Sequence, residues 1–215
     1  MMRSFVSSKG LPLLLLTLAL ILSAAMGLHA HAMQTPPLQG QVVLPDGQKP
    51  AADLALQDQN GHVVTMKDLR GHVVAITFLD SHCVQQCPIV GRELALVEQR
   101  LGPHTPLTLL VVSVAPFTDS PASAAAFALK SGWQGDWHWL FGTPTQLAKV
   151  WHDYGIWVQP TKKEIMHTAV IYLVSPNGSV RVMDMLPFLP DQMVQSVKNL
   201  THQAPKSLLD WITLW

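Results

Sequence analysis

Two unbroken apolar runs, His72 to Leu79 and Leu107 to Val114, carry the strongest pattern in the chain. Runs of that length without polar alternation predict strands covered on both faces. Between them Val90, Leu94, Val97 and Leu101 recur at steps of four, three and four, and Pro88 stands where a helix tolerates proline, so a core-packed helix is expected after the first strand. Pro116 to Pro121 closes the second run, with Ser120 and Pro121 as N-cap and first turn of a helix through Lys130. Leu147, Val150, Trp151 and Tyr154 mark a further helix. Thr168 to Val174 reads as a strand, Pro176-Asn177-Gly178 as a turn and Val180 to Met183 as the returning strand. Pro190 opens a last helix with Met193, Val197 and Leu200 on one face.

Upstream, Leu54 and Leu56 alternate with polar residues, Asn60-Gly61 is a hairpin turn and His62 to Thr65 returns. The resulting order is strand, helix, strand, helix, helix, strand, strand, helix after an N-terminal hairpin. It predicts an α/β protein with a thioredoxin-like fold, an extra N-terminal β-hairpin and an insertion.

The ends differ in character from this domain, expected over 51–202. Residues 1–10 are basic and Leu11 to Leu28 is apolar but for Pro12, Thr17, Ser23 and Gly27, which marks 1–32 as a targeting segment. Ala30-His31-Ala32 suits signal cleavage, whereas eighteen residues of helix, about 27 Å, come close to spanning a bilayer. A cleaved signal peptide and a retained membrane anchor both stay open, and either exports the remainder. Residues 33–50, rich in Gln, Pro and Gly, read as a linker. In the tail, 203–215, Leu208, Trp211, Ile212 and Trp215 share a helical face, for packing on the domain or for a membrane or partner contact.

Basic and acidic residues balance at 14 each, and without the first 32 residues the count is 12 against 14, a net charge of −2. That gives no basic footprint for nucleic acid. H-E-x-x-H, G-x-S-x-G, P-loop and C-x-x-C patterns are all missing from the sequence.

What remains is the pair Cys83 and Cys87, the only cysteines, placed where the first buried strand turns into its helix. Helix N-terminal amides and the dipole favour a thiolate there. Two thiolates three residues apart form a pincer for a soft ion. A structural disulfide is the plain alternative, but closing about five residues removes only about 2 kcal/mol of chain entropy, against almost 5 for a hundred-residue loop. His167 falls just before the strand from Thr168, at the sheet end that faces the cysteines, and is either a third ligand or a solvated loop histidine. Disulfide exchangers of this fold carry a cis-proline at that point; here the nearest upstream proline is Pro160. His82 adjoins Cys83 and either favours its thiolate when protonated or packs against the sheet. Met166, Met183 and Met185 are soft donors by type but suit core filling as well.

Asn60-Gly61, Leu69 to Val74, Phe78 with Ser81-His82-Cys83 and Cys87-Pro88, Ser113 to Pro116 with Asp119, and His167 ahead of Tyr172 to Gly178 together resemble the Sco (SenC-type) family of copper-binding cytochrome c oxidase assembly factors. The resemblance implies copper as the bound metal, with Cys83, Cys87 and His167 as its ligands. It implies an apo-cytochrome c oxidase subunit or another exported cuproprotein as partner, a thiol reductant, and a place at the periplasmic face of the bacterial inner membrane. Val84 stands where the family has proline, and Ala115 where an aspartate precedes the proline. Two functions follow: a metallochaperone that passes copper by ligand exchange, or a thiol-disulfide oxidoreductase in which Cys83 attacks and Cys87 resolves.

Overall fold

Seven consecutive buried residues in each of two neighbouring strands set the centre of the molecule, β4 (Val73–Leu79) and β5 (Leu107–Ser113). The computed structural model describes residues 37–202. β4 and β5 pair in parallel over their full length, Val73 opposite Leu107 and Leu79 opposite Ser113. A third parallel strand, β6 (Asp136–Leu140), follows on the far side of β5. β9 (Val170–Val174) runs antiparallel to β4, β10 (Val180–Met185) antiparallel to β9, and β1 (Val42–Val43) closes that edge against β10. The six-stranded order is β1-β10-β9-β4-β5-β6. Two small hairpins lie outside it, β2 (Ala55–Gln57) with β3 (Val63–Thr65), and β7 (Val158–Pro160) with β8 (Ile165–His167).

Alternate residues of the central strands serve opposite faces, so one apolar run feeds two cores. Val73, Ala75, Leu109 and Val111 pack with helices α1 (Cys87–Leu101), α2 (Pro121–Ser131) and α4 (Pro190–His202). Val74, Ile76, Leu110 and Val112 pack with α3 (Pro144–Asp153) and the β2–β3 hairpin. Helix starts are locally encoded: Ser120 and Thr143 form capping boxes with Ser123 and Gln146, and each is followed by proline. α1 and α2 approach closely at Gly91, where a side chain would strike Ser131 and come within 2.9 Å of Phe127 Cε1. At the β9–β10 turn Gly178 has φ 82°, a left-handed conformation that glycine supplies without strain.

The thioredoxin-like order, the N-terminal hairpin and the helix faces agree with the sequence reading. Three features differ. The strand β6 went unrecognised because Asp136-Trp137-His138-Trp139-Leu140 has no continuous apolar run. Its placement comes from pairing with β5 and from Trp139, which is fully buried. His167, expected in a loop, ends the strand β8, since the 158–167 segment folds back on itself. Within 33–50, read as a linker, Val42 and Val43 extend the main sheet and Gln39 bonds to Ser196 of α4. The targeting segment and the apolar tail lie outside the described residues. Among those described, no helix is long and apolar enough to cross a membrane.

Candidate metal centre

Parallel pairing brings the C-terminal ends of β4 and β5 to one edge, and antiparallel pairing brings the start of β9 to the same edge. Thr77 pairs with Ile171, and its hydroxyl donates to the Val170 carbonyl at 3.0 Å. Residues 80–87, leaving β4, therefore meet residues 165–169, entering β9. Cys87 Sγ lies 3.9 Å from His167 Nε2, although 80 positions separate them in the chain. Cys83 packs against the same core cluster, partly exposed, while Cys87 is buried, and both thiols are free.

His167 is held from behind. Its Nδ1 lies 3.1 Å from the Thr168 carbonyl, and donation there places the proton on Nδ1 and leaves the Nε2 lone pair toward Cys87. The hairpin fixes the ring's approach: Val158 pairs with His167, and Trp157 exchanges two hydrogen bonds with Thr168, at 3.0 and 2.9 Å. A small void of about 10 Å³ beside Cys87, His167, Phe78 and Val90 is at the threshold for one water molecule.

The two thiols are electrostatically unequal. A hydrogen bond from Cys87 holds Cys83 down to about 5, opposed by burial and assisted by the backbone N–H groups of Cys87, Gln85 and Gln86. Cys87 is pushed far up by that same pairing with Cys83 and by burial. The helix N-terminal amides thus act on Cys83, which stands outside the helix, and not on Cys87, which begins it. The protonated sulfur donates and the deprotonated one accepts, so the pair carries one proton. Cys87 Sγ faces His167 Nε2 directly, while the Cys83 sulfur pairs with Cys87 and does not close with both into a ligand cluster as tight as 4.8 Å. Two sulfurs and an imidazole nitrogen are donor types that suit a soft ion.

The remaining candidates fall elsewhere. His82 turns its Nδ1 toward Asp119 Oδ1 at 3.6 Å and Asp80 Oδ1 at 3.8 Å. Met183 packs against the second core cluster, and Met166 and Met185 are exposed. Two carboxylates were not singled out from sequence. Asp80, buried at the end of β4, is raised by burial and accepts from the His82 N–H at 2.8 Å. Asp119, read only as part of a motif, has a fully buried side chain that accepts from Ser81. The one signal for Asp80 is that a charged residue ends an otherwise apolar run.

A search of curated proteins found no match. Among solved structures, copper-bound ScoI of Bradyrhizobium japonicum is similar, with 29% identity over 70% of this chain and 99% of that one, TM-score 0.63. A SCO1/SenC family lipoprotein of Bacillus anthracis matches at 22% identity, 75% and 99% coverage and TM-score 0.64. BsSco, a member of the Sco family of cytochrome c oxidase assembly proteins described as having a disulfide switch, matches at 20%, 75% and 98%, TM-score 0.62. The family model SCO1/SenC matches residues 45–202, which takes in the whole sheet from β2 onward, both cysteines and His167. On that match and on this thioredoxin-like architecture, the chain belongs to the SCO1/SenC family.

Proposed function

We propose that this protein is an exported copper metallochaperone in which Cys83, Cys87 and His167 hold one copper ion as cargo. The observation that carries the reading is the approach of His167 Nε2 to Cys87 Sγ, 3.9 Å, with Cys83 paired to Cys87 on the same edge. Two sulfurs and one imidazole leave Cu(I) three-coordinate, so an incoming thiolate enters before any resident ligand departs. Cu(I) then passes to the partner with no change of oxidation state. Cys87 loses its proton on loading, and Cys83 is already deprotonated at neutral pH. The recipient is an apo-cytochrome c oxidase subunit or another exported cuproprotein, reached at the periplasmic face of the membrane that residues 1–32 target. The Bacillus anthracis relative's description as a lipoprotein accords with membrane attachment.

A second reading is favoured by the low Cys83 value and by the disulfide switch ascribed to BsSco: thiol-disulfide exchange, with Cys83 attacking and Cys87 resolving. Anaerobic Cu(I) titration of the reduced protein against a competing chelator separates the two, with His167→Ala and Cys83→Ser in parallel. One tight equivalent, lost in both variants, is expected. No competitive binding, with a cysteine pair that cycles readily in a thiol buffer, overturns the chaperone reading in favour of exchange.

A further inference from the structure

Three successive backbone N–H groups ahead of the metal centre each meet an aspartate. Ser81 N donates to Asp119 Oδ1 at 2.9 Å, His82 N to Asp80 Oδ1 at 2.8 Å and Cys83 N to the Asp80 carbonyl at 3.2 Å. The first of these joins a larger network. Ser81 Oγ donates to the same Asp119 oxygen at 2.5 Å, and Asp119 Oδ2 accepts from Ser113 Oγ at 2.6 Å and from Trp139 Nε1 at 3.3 Å. The Asp119 side chain is fully buried, so these four donors take the place of water.

Asp80, His82 and Asp119 also bring three possible ligand atoms within 4.8 Å of one another, the spacing of a cation site. The hydrogen bonds decide against it, since the Asp119 oxygen nearest His82 already accepts two bonds from Ser81. Its charge is committed to holding the chain.

We infer that Asp119 is a positioning residue for Cys83, a buried carboxylate that locks Ser81, and through it the loop bearing the exposed thiol, to β5 and to Trp139 of β6. Cys83 has no helix to fix it, because α1 begins only at Cys87. Its position rests on the turn from Asp80, and that turn is anchored across the sheet edge through Ser81. A metal ligand on a loose loop must be ordered each time it binds, which weakens affinity; a pre-ordered one avoids that cost. The inference deepens the copper reading and rests on it for the metal readout, while a thiol readout tests the anchor without copper.

Asp119→Asn keeps the shape but puts an amide N–H₂ against donors. Ser81→Ala removes the hydroxyl's bond to the Asp119 carboxylate together with its contacts to Ser123 Oγ and His82 Nδ1, and keeps the backbone bond, while Ser81→Thr restores the hydroxyl. Each protein is reduced, checked for native circular dichroism, titrated with Cu(I) against a chelator and alkylated at Cys83 with iodoacetamide at pH 7. Ser81→Ala and Asp119→Asn are expected to weaken Cu(I) binding about tenfold or more, the effect of one lost charged hydrogen bond. They are also expected to change the Cys83 alkylation rate at least about threefold, on the same ground. Ser81→Thr is expected to stay within about twofold of the parent, since its hydroxyl remakes the bond. Parental Cu(I) affinity and alkylation rate in a folded Ser81→Ala and Asp119→Asn overturn the inference. If Asp119→Asn fails to fold, the Ser81 pair decides it. Should the parent itself bind no Cu(I), the copper reading fails and the alkylation rates alone judge the anchor.

Discussion

Alkylation of Cys83 as a function of pH gives the most direct test of the asymmetric thiol pair. Cys87 is 2% exposed, so an iodoacetamide time course in the reduced protein follows Cys83. With Cys83 at about 5 against the ordinary 9.0, about 90% of it is thiolate at pH 6, where an unperturbed thiol is about 0.1% thiolate. The gain in rate is smaller than that ratio. Nucleophilicity falls with pKa at a Brønsted slope of about 0.4–0.5, so four units cost about 40- to 100-fold per thiolate. Cys83 is therefore expected to react about tenfold faster than an unperturbed thiol at pH 6, and more than tenfold slower at pH 9, with the two profiles crossing near about pH 7. The rate reaches its plateau with a midpoint of about 5. Cys87→Ala removes the first cause of the shift and leaves the loop amides, so its midpoint moves up toward 9.0 without reaching it. A parent midpoint near the ordinary 9.0, unchanged in Cys87→Ala, refutes the shared-proton arrangement.

Further expectations concern the scaffold. Imidazole His138 is raised chiefly by its hydrogen bond to Asp136, with burial opposing and Asp58 assisting. Its contribution to stability is therefore full below pH 6.5 and lost as pH rises through the raised folded value. The gap in melting temperature between parent and His138→Asn should shrink from pH 6 to pH 9, and a constant gap refutes that. Gly91→Ala drives a methyl into Ser131 and Phe127, an overpacking cost of about 1–3 kcal/mol, visible as a melting temperature lower by several degrees. An unchanged melting temperature shows that α1 and α2 separate freely. The Arg100–Asp191 pair, 2.6 Å but 44% and 86% exposed, joins the end of α1 to the start of α4. Asp191→Asn should change stability by about 0–1 kcal/mol, as measured by urea denaturation, and a larger loss means the pair is less solvated than its exposure indicates.

The parts legible in the sequence are those set by near neighbours along the chain. β4 and β5 announce themselves because, apart from Thr77, Thr108 and Ser113, their residues are apolar and do not alternate with polar ones, and the α2 start because Ser120-Pro121 is capped within its own turn. The cysteines stood out by type and spacing, and the family pattern extended that to His167. Tertiary structure decided what depends on distant partners. β6 exists as a strand because β5 offers it a parallel edge and Trp139 a buried place, neither visible in its own five residues. The meeting of His167 with Cys87 follows from the antiparallel pairing of β9 with β4, and the burial of Asp119 from the convergence of Ser81, Ser113 and Trp139. The thiols divide the same way: sequence gives two reactive groups, but which one holds the charge is fixed by the burial of Cys87 and by the amides aimed at Cys83. Periodicity and capping act over a few residues, whereas desolvation and cross-sheet hydrogen bonds arise only once the chain has folded.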